Sequence, residues 1–397
     1  MKAVHKRLIA VGIICILLIV AAAVTVEKPW YTAKEETEET EQDTESEVTD
    51  VSQSDAPELI FWYEDETYTD FLQKAAKDFY RDTGIAVQVE WKDTLDYTGD
   101  IYQATMENDE FPDAYLLSGE QLEEAYLYGI AADNRSTDVY QNTVARNALT
   151  ASMYGDRYIG YPLSYNVCLF AFQNGYFETA PSSIQAIIDY SDENEPEENV
   201  EYLLEWDVND AFFDFPFISN SISFEKEEAE VMAVVYDEAL YEEDLAFFQE
   251  ILESFSLNAD TVSEASVISD FKEGTTVCAL IDSDSLSKLE GYDYLLTEIP
   301  ALNDSLPAYS CALTDMVIVN DFSEKSEEAD AFAEYLTMTM SGELHQLSGH
   351  YPVILSEQAD NTERIAYQAY ENAILVPNSQ NALGFWITLK ETILNYF

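Results

Sequence analysis

The stretch ELIFWYEDETYTDFLQKAAKDFYRDTGIAVQVEW (Glu58–Trp91) changes its hydrophobic period twice. Leu59 to Tyr63 is a short unbroken apolar run, the length of a buried strand. Tyr68, Phe71, Leu72, Ala75 and Phe79 then recur at helical spacing, and Thr83-Gly84 ends that helix with the residue type its C-terminus prefers. Ile85, Val87, Val89 and Trp91 alternate with smaller or polar residues, which predicts a second strand.

The same grammar continues outward from this unit. Pro112-Asp113 opens the apolar run Ala114 to Leu117, Leu122, Ala125 and Tyr126 follow on one helical face, and Gly129 closes it. Strand–helix–strand–helix order predicts an α/β fold with a largely parallel sheet. Tyr158 to Phe172 reads as a long strand crossing from one lobe to another, Thr276 to Ile281 and Met316 to Asn320 as further strands, and Ala329, Phe332, Ala333 and Leu336 as a helical face. Asp189 to Glu205 and Glu225 to Glu253 are so acidic that they read as solvated helices or loops on an outer face. No repeat of solenoid length occurs.

Upstream, Lys2, Lys6 and Arg7 precede an uncharged run from Leu8 to Val26. As a helix this run is roughly 28 Å long, near the thickness of a bilayer's hydrocarbon core. Residues 1–26 therefore read as a transmembrane anchor with its basic end inside the cell, or as a signal peptide cleaved near Ala21-Ala22-Ala23. Residues 27–57, rich in Glu, Asp, Thr and Ser from Lys34 onward, read as an acidic disordered tether holding the folded body about 30 Å from the membrane.

The 397-residue chain has 78 acidic residues against 18 Lys plus Arg, a formal net charge of −60. Such a surface repels phosphate backbones and anionic lipid headgroups, which excludes nucleic acid as a partner and suits solubility outside the cell. With Cys15 in the N-terminal run, Cys168, Cys278 and Cys311 remain, all in apolar strand-like runs without a C-x-x-C pair. Buried free thiols are the default, with one disulfide among them left open. No H-E-x-x-H, G-x-S-x-G, G-x-x-x-x-G-K-[ST] or G-x-G-x-x-G occurs. His345 and His350, flanking Q-L-S-G, read as surface residues in a helix-end loop rather than a catalytic pair. Asp282-Ser283-Asp284 lacks the spacing and glycine of a calcium loop. The residues point to a binding protein rather than an enzyme, with no cofactor and no metal.

Several segments in order resemble the extracellular solute-binding proteins of ATP-driven (ABC) importers, of the maltose- and maltodextrin-binding class. They are Trp62 at the end of its strand, F-Y-R-D-T-G-I at Phe79–Ile85, Pro112-Asp113 and Gly129-Ile130. Y-G-D-R-Y-I-G-Y-P-L-S at Tyr154–Ser164, F-K-E-G-T-T-V at Phe271–Val277 and V-P-N-S-Q-N-A-L-G-F-W at Val376–Trp386 continue the series. The resemblance runs from about Glu58 to the C-terminus. It implies a two-lobed periplasmic-binding-protein-like α/β fold with hinge strands between the lobes and a ligand cleft closed by lobe motion. Lobe I would comprise residues 58–164 and 314–356, and lobe II residues 165–313 and 357–397. It also implies a monomer that delivers a carbohydrate to a membrane permease.

Sugars present apolar C–H faces and a rim of hydroxyls, so their sites combine aromatic platforms with carboxylates and amides. The resemblance maps Trp386 onto a stacking Trp, Phe212 and Phe213 onto an aromatic pair lining the cleft, and Asp210 onto a hydroxyl-binding carboxylate. Glu66 and Glu120 match acidic contacts, but the basic residues beside them in the family are Thr67 and Gln121 here. Asn166 stands where the class has a Glu, and two stacking Trp positions correspond to Leu117 and Asp284. Trp62 matches a residue that mostly packs. Much of the maltodextrin platform is thus replaced, which leaves a different glycan, a polyol or a cationic solute open. The excess of carboxylates favours a cation if an aromatic box accompanies them. A sensory receptor on the same scaffold also remains open.

Overall fold

Strand β1 (Glu58–Tyr63) pairs in parallel with β2 (Ala86–Trp91), from Glu58↔Ala86 to Tyr63↔Trp91, and with β3 (Ala114–Ser118) at Phe61↔Ala114. The helix Thr69–Thr83 forms the crossover and buries Phe71, Leu72, Ala75 and Phe79 against the sheet. It ends at Gly84, whose φ of 79° is the left-handed cap expected from its sequence. Asp113, 5% exposed, ties this unit together. It accepts from the Ile60 amide (2.9 Å) and the Ser323 hydroxyl (2.6 Å) and lies 3.3 Å from Lys325 Nζ.

This computed structural model describes residues 58–397 except 108–109, 178, 227–231, 256, 258, 378–379 and 397. The expected anchor or signal peptide and the acidic tether lie outside the described residues. Among the described residues no helix is long and apolar enough to cross a membrane.

The hairpins β4 (Met153–Tyr154)/β5 (Arg157–Tyr158) and β8 (Ile222–Lys226)/β9 (Met232–Tyr236) stand apart from the main sheet. Within it, β6 (Tyr161–Gln173) is the long crossing strand that its sequence predicts. Its Tyr161–Val167 portion pairs with β12 (Cys311–Val319), and Cys168–Phe172 pairs with β10 (Thr276–Asp282). β10 pairs in turn with β7 (Tyr202–Glu205), giving the order β2-β1-β3-β12-β6-β10-β7. β11 (Tyr294–Thr297) and β13 (Tyr351–Pro352) add to β6, and β14 (Ile374–Leu375) adds to β12.

The sheet is mixed rather than largely parallel. The α/β crossovers are parallel as expected, but β6 and β12 return between the two halves and so run antiparallel to β10, β3 and each other. Each half has its own core. One gathers Phe61, Phe71, Phe79 and Phe332, and the other Trp206, Phe213, Phe215, Phe217 and Phe248. A third cluster, including Tyr165, Val167, Ala279 and Tyr370, packs around the crossing strand. Cys168, Cys278 and Cys311 are buried free thiols.

The acidic stretches are only partly solvated. Asp189–Glu205 ends in β7, where Leu203, Leu204 and Glu205 are buried. The helix Glu238–Phe255 buries Phe247, Phe248, Ile251 and Phe255, with Asp244 alongside them. Acidic density hid an amphipathic strand and helix, because acids on the outer face say nothing about the inner one.

Candidate ligand cleft

A cleft of about 600 Å³ opens beside the crossing strands. It is lined by Glu120 from the turn after β3, Asn166 from β6, Leu313 from β12 and Asp282 at the end of β10. The second half adds Asp207, Asn209 and Asp210, the residues Ala211–Phe213, Glu264, and one face of the C-terminal helix Gln380–Leu394 through Trp386, Ile387 and Lys390.

Local sequence explains these placements. Gly119 lets the turn carrying Glu120 approach β12, because a Cβ there would lie 2.9 Å from the Thr314 carbonyl oxygen. Asp210 caps the short helix Ala211–Asp214 by accepting from the Phe212 amide (2.9 Å), which turns Phe212 toward the cleft. In the C-terminal helix Phe385, Leu389 and Ile393 enter the core, leaving Trp386 and Lys390 at the cleft. Asn166 donates to Asp282 (3.1 Å) and accepts from the Ser283 hydroxyl (3.1 Å), so its amide is held at both ends.

Trp386 is mostly buried. Its ring packs edge-on against Phe215 (5.9 Å) and tilts over Phe385 (5.0 Å), while its Nε1 donates to Glu120 Oε1 at 2.8 Å. That bond joins the C-terminal helix to the turn after β3 across the cleft. Phe212 is half-buried and edge-on to Phe213 (5.6 Å), which is 2% exposed and chiefly a core residue.

The described lining carries five carboxylates, Glu120, Asp207, Asp210, Glu264 and Asp282, and one ammonium, Lys390. Burial raises the Glu120 carboxyl, against its Trp386 bond and reinforced by Asp315 and Asp210. Burial likewise raises Asp210, opposed by the Phe212 amide, and Asp282, where Glu264 adds repulsion. The cleft therefore offers hydrogen-bond acceptors with an aromatic wall.

Six of the eight residues singled out by sequence meet here: Trp386, Phe212, Phe213, Asp210, Glu120 and Asn166. Glu66 and Trp62 are not in this lining. Glu66 is exposed in the short turn Glu66–Tyr68. Trp62 is 7% exposed in the core of the first half, with Lys92 Nζ 3.8 Å from its ring centroid. Asp207, Glu264 and Asp282 were not assigned to the cleft from sequence, because nothing distinguishes them among 78 acids until the fold brings them together, and the amide of Asn209 carries no local signal either. His350 corrects the sequence reading. It is 5% exposed rather than on the surface, stacked 4.1 Å from Tyr68 and paired with carboxylates on both sides.

Two α/β halves joined by crossing strands, with an aromatic and acidic cleft lined from both, make a two-lobed α/β fold. No family model matches the sequence. The fold is similar to a cyclo/maltodextrin-binding protein complexed with maltotetraose, at a TM-score of 0.74 and 15% identity over 87% of this chain and 93% of that one. It is also similar to an extracellular solute-binding protein from Staphylococcus aureus in complex with maltose, at a TM-score of 0.72 and 16% identity over the same shares.

Proposed function

We propose that this protein is the extracellular substrate-binding subunit of an ABC importer, capturing a carbohydrate between its lobes and delivering it to a membrane permease. The observation that carries the reading is the Trp386 wall facing the carboxylates of Asp210 and Glu120 in a cleft of about 600 Å³. An indole face covers the C–H surface of a sugar, and carboxylates accept from its hydroxyls. Trp386 and Phe212 would form the platform, with Glu120, Asp210 and Asn166 binding hydroxyls and Phe213 backing Phe212. The likeness to proteins bound to maltose and maltotetraose supports this reading. Lobe I would comprise residues 58–164 and 314–356, and lobe II the remainder of the folded body. Residues 1–26 would anchor the chain at the outer face of the membrane, or release it if cleaved. We propose a monomer without catalytic activity.

The preponderance of carboxylates over Lys390 in the lining favours a second reading, a cationic or amino-bearing solute held by charge and by Trp386. The test is thermal unfolding of the full-length chain against maltose, maltotetraose, amino sugars, polyols and polyamines. A ligand at about 100 times its Kd adds about 2.7 kcal/mol of stability. A rise in Tm with neutral oligosaccharides supports the first reading. A rise only with cations transfers support to the second, and no rise with any of them removes the sugar reading.

A further inference from the structure

His350 stands between the two lobes. It follows the helix Ser341–Ser348 and precedes β13, which pairs with the crossing strand at Tyr351↔Tyr165. Its Nε2 lies 2.6 Å from Thr67 Oγ1 and 3.5 Å from Asp65 Oδ2, both in the turn after β1. Its Nδ1 lies 3.0 Å from Asp284 Oδ1, in the turn after β10 on the other side of the crossing. The ring is stacked on Tyr68 with an interplanar angle of 3°. Tyr68 in turn donates to Asp315 Oδ2 (2.6 Å) on β12. The preceding Gly349 approaches the same second-lobe turn, its Cβ position lying 3.5 Å from Ser287 Oγ.

We infer that His350 is a charged clasp between the lobes, whose pairing with Asp284 holds the cleft toward its closed arrangement. The inference rests on the two-lobed binding reading above and concerns how that site opens. Asp65, Thr67 and Tyr68 share the first lobe with His350, so a hinge motion leaves those contacts intact. The Asp284 contact crosses the hinge and is the one that opening breaks. The groups facing the imidazole are Asp65, Thr67, Tyr68, Asp284 and Asp315, with Asp282 beyond Asp284. Burial works against a charged ring here, but Asp284 and Asp65 outweigh it and push the imidazole up to about 10. The imidazole is therefore charged throughout the neutral range, and the pair is lost from the His350 side as pH rises through about 10 and from the Asp284 side, whose carboxyl burial raises to about 6, as pH falls through about 6.

The test measures lobe separation without ligand, by electron–electron resonance between nitroxides at Glu107→Cys and Glu250→Cys. Both sites are exposed and lie on opposite lobes, and the full-length chain carries Cys15→Ser. His350→Gln and Asp284→Asn are each expected to shift the population toward longer distances by about tenfold. The double variant is expected to shift it no further than either alone. Asp65→Asn, which removes the same-lobe partner, is expected to leave the distances near those of the parent. Raising pH through 10 should open the parent and leave His350→Gln unchanged. Parental distances in folded Asp284→Asn would overturn the clasp, and so would equal opening by Asp65→Asn. If His350→Gln does not fold, Asp284→Asn decides alone, because its side chain is partly exposed. Adding maltotetraose tests the sugar reading separately: failure to bind it counts against that reading alone, and the ligand-free distances still decide the clasp.

Discussion

Replacing Trp386 separates its two roles, wall of the cleft and member of the core. A Trp side chain buries 150–250 Å² when enclosed, so the mostly buried indole leaves roughly 60 Å² of face for a ligand. At about 25–30 cal/mol per Å², covering it contributes about 1.5–2 kcal/mol, or roughly a 10- to 30-fold loss of affinity in Trp386→Ala. The same substitution removes the contacts with Phe215 and Phe385, so folding is also weakened, by about 3 kcal/mol. Phe385→Ala is the matched control: the residue is 4% exposed, packs in the same cluster and is absent from the lining. Trp386→Phe keeps most of the ring but loses the bond to Glu120, and is expected to stay within about fivefold of the parent, the worth of one modest hydrogen bond. Calorimetric titration of whichever saccharide stabilises the parent supplies the Kd, and circular dichroism confirms folding. A parental Kd in folded Trp386→Ala, or an equal affinity loss in Phe385→Ala, would refute the assignment of Trp386 to the site.

Asp113→Ala should destabilise folding by about 3 kcal/mol, seen as a lower urea midpoint, because it strands the Ile60 amide and the Ser323 hydroxyl. Burial raises Asp244, Asp284 and Asp315 to about 6, so the folded state takes up protons between pH 6 and 4. Stability should therefore rise as pH falls from 7 to 5, by at least about 2 °C in Tm; a lower Tm at pH 5 contradicts this. Burial also raises the Cys168, Cys278 and Cys311 thiols, so in a Cys15→Ser background a disulfide reagent should titrate them only after denaturation. Rapid labelling of the native protein would show that one of the three strands opens locally.

Much of the first half was legible because its signals are local. The run Leu59–Tyr63, the helical face from Tyr68 to Phe79 and the cap at Gly84 each depend on neighbours a few residues apart, and each forms as read. The long strand at Tyr161–Gln173 was equally visible. Its change of partner from β12 to β10 was not, since pairing partners lie more than a hundred residues away. That change makes the sheet mixed where local order predicted parallel pairing. The cleft divides in the same way. The resemblance to the maltodextrin-binding class pointed to Phe212, Asp210 and Trp386. Asp207, Glu264 and Asp282 are single acids in an acidic chain, and only long-range pairing selects them. His350 shows the reverse error, in which a polar residue beside a glycine looks exposed but is enclosed by Tyr68, Asp65 and Asp284.

On the proposed binding reading, the cleft's charge would give lobe closure a chemical consequence. While the cleft is open, water solvates the carboxylates of Glu120, Asp207, Asp210, Glu264 and Asp282. Closure removes that water, and an unpaired buried carboxylate costs far more than a hydrogen-bonded one. Some of these groups already have protein donors: the Trp386 indole for Glu120, the Phe212 amide for Asp210, and Asn166 and Ser285 for Asp282. Each carboxylate accepts more hydrogen bonds than these supply, so a ligand bearing several donors completes the set and a small apolar one does not. A polyhydroxylated ring meets the requirement without changing the charge of the site, its C–H face against Trp386. An ammonium meets it with fewer donors but also offsets the negative field, which Lys390 alone opposes within the described lining. On that reading the aromatic wall would accept either ligand, so the balance between hydroxyl and ammonium donors would decide specificity at the carboxylates, and closure would depend on a ligand that satisfies them.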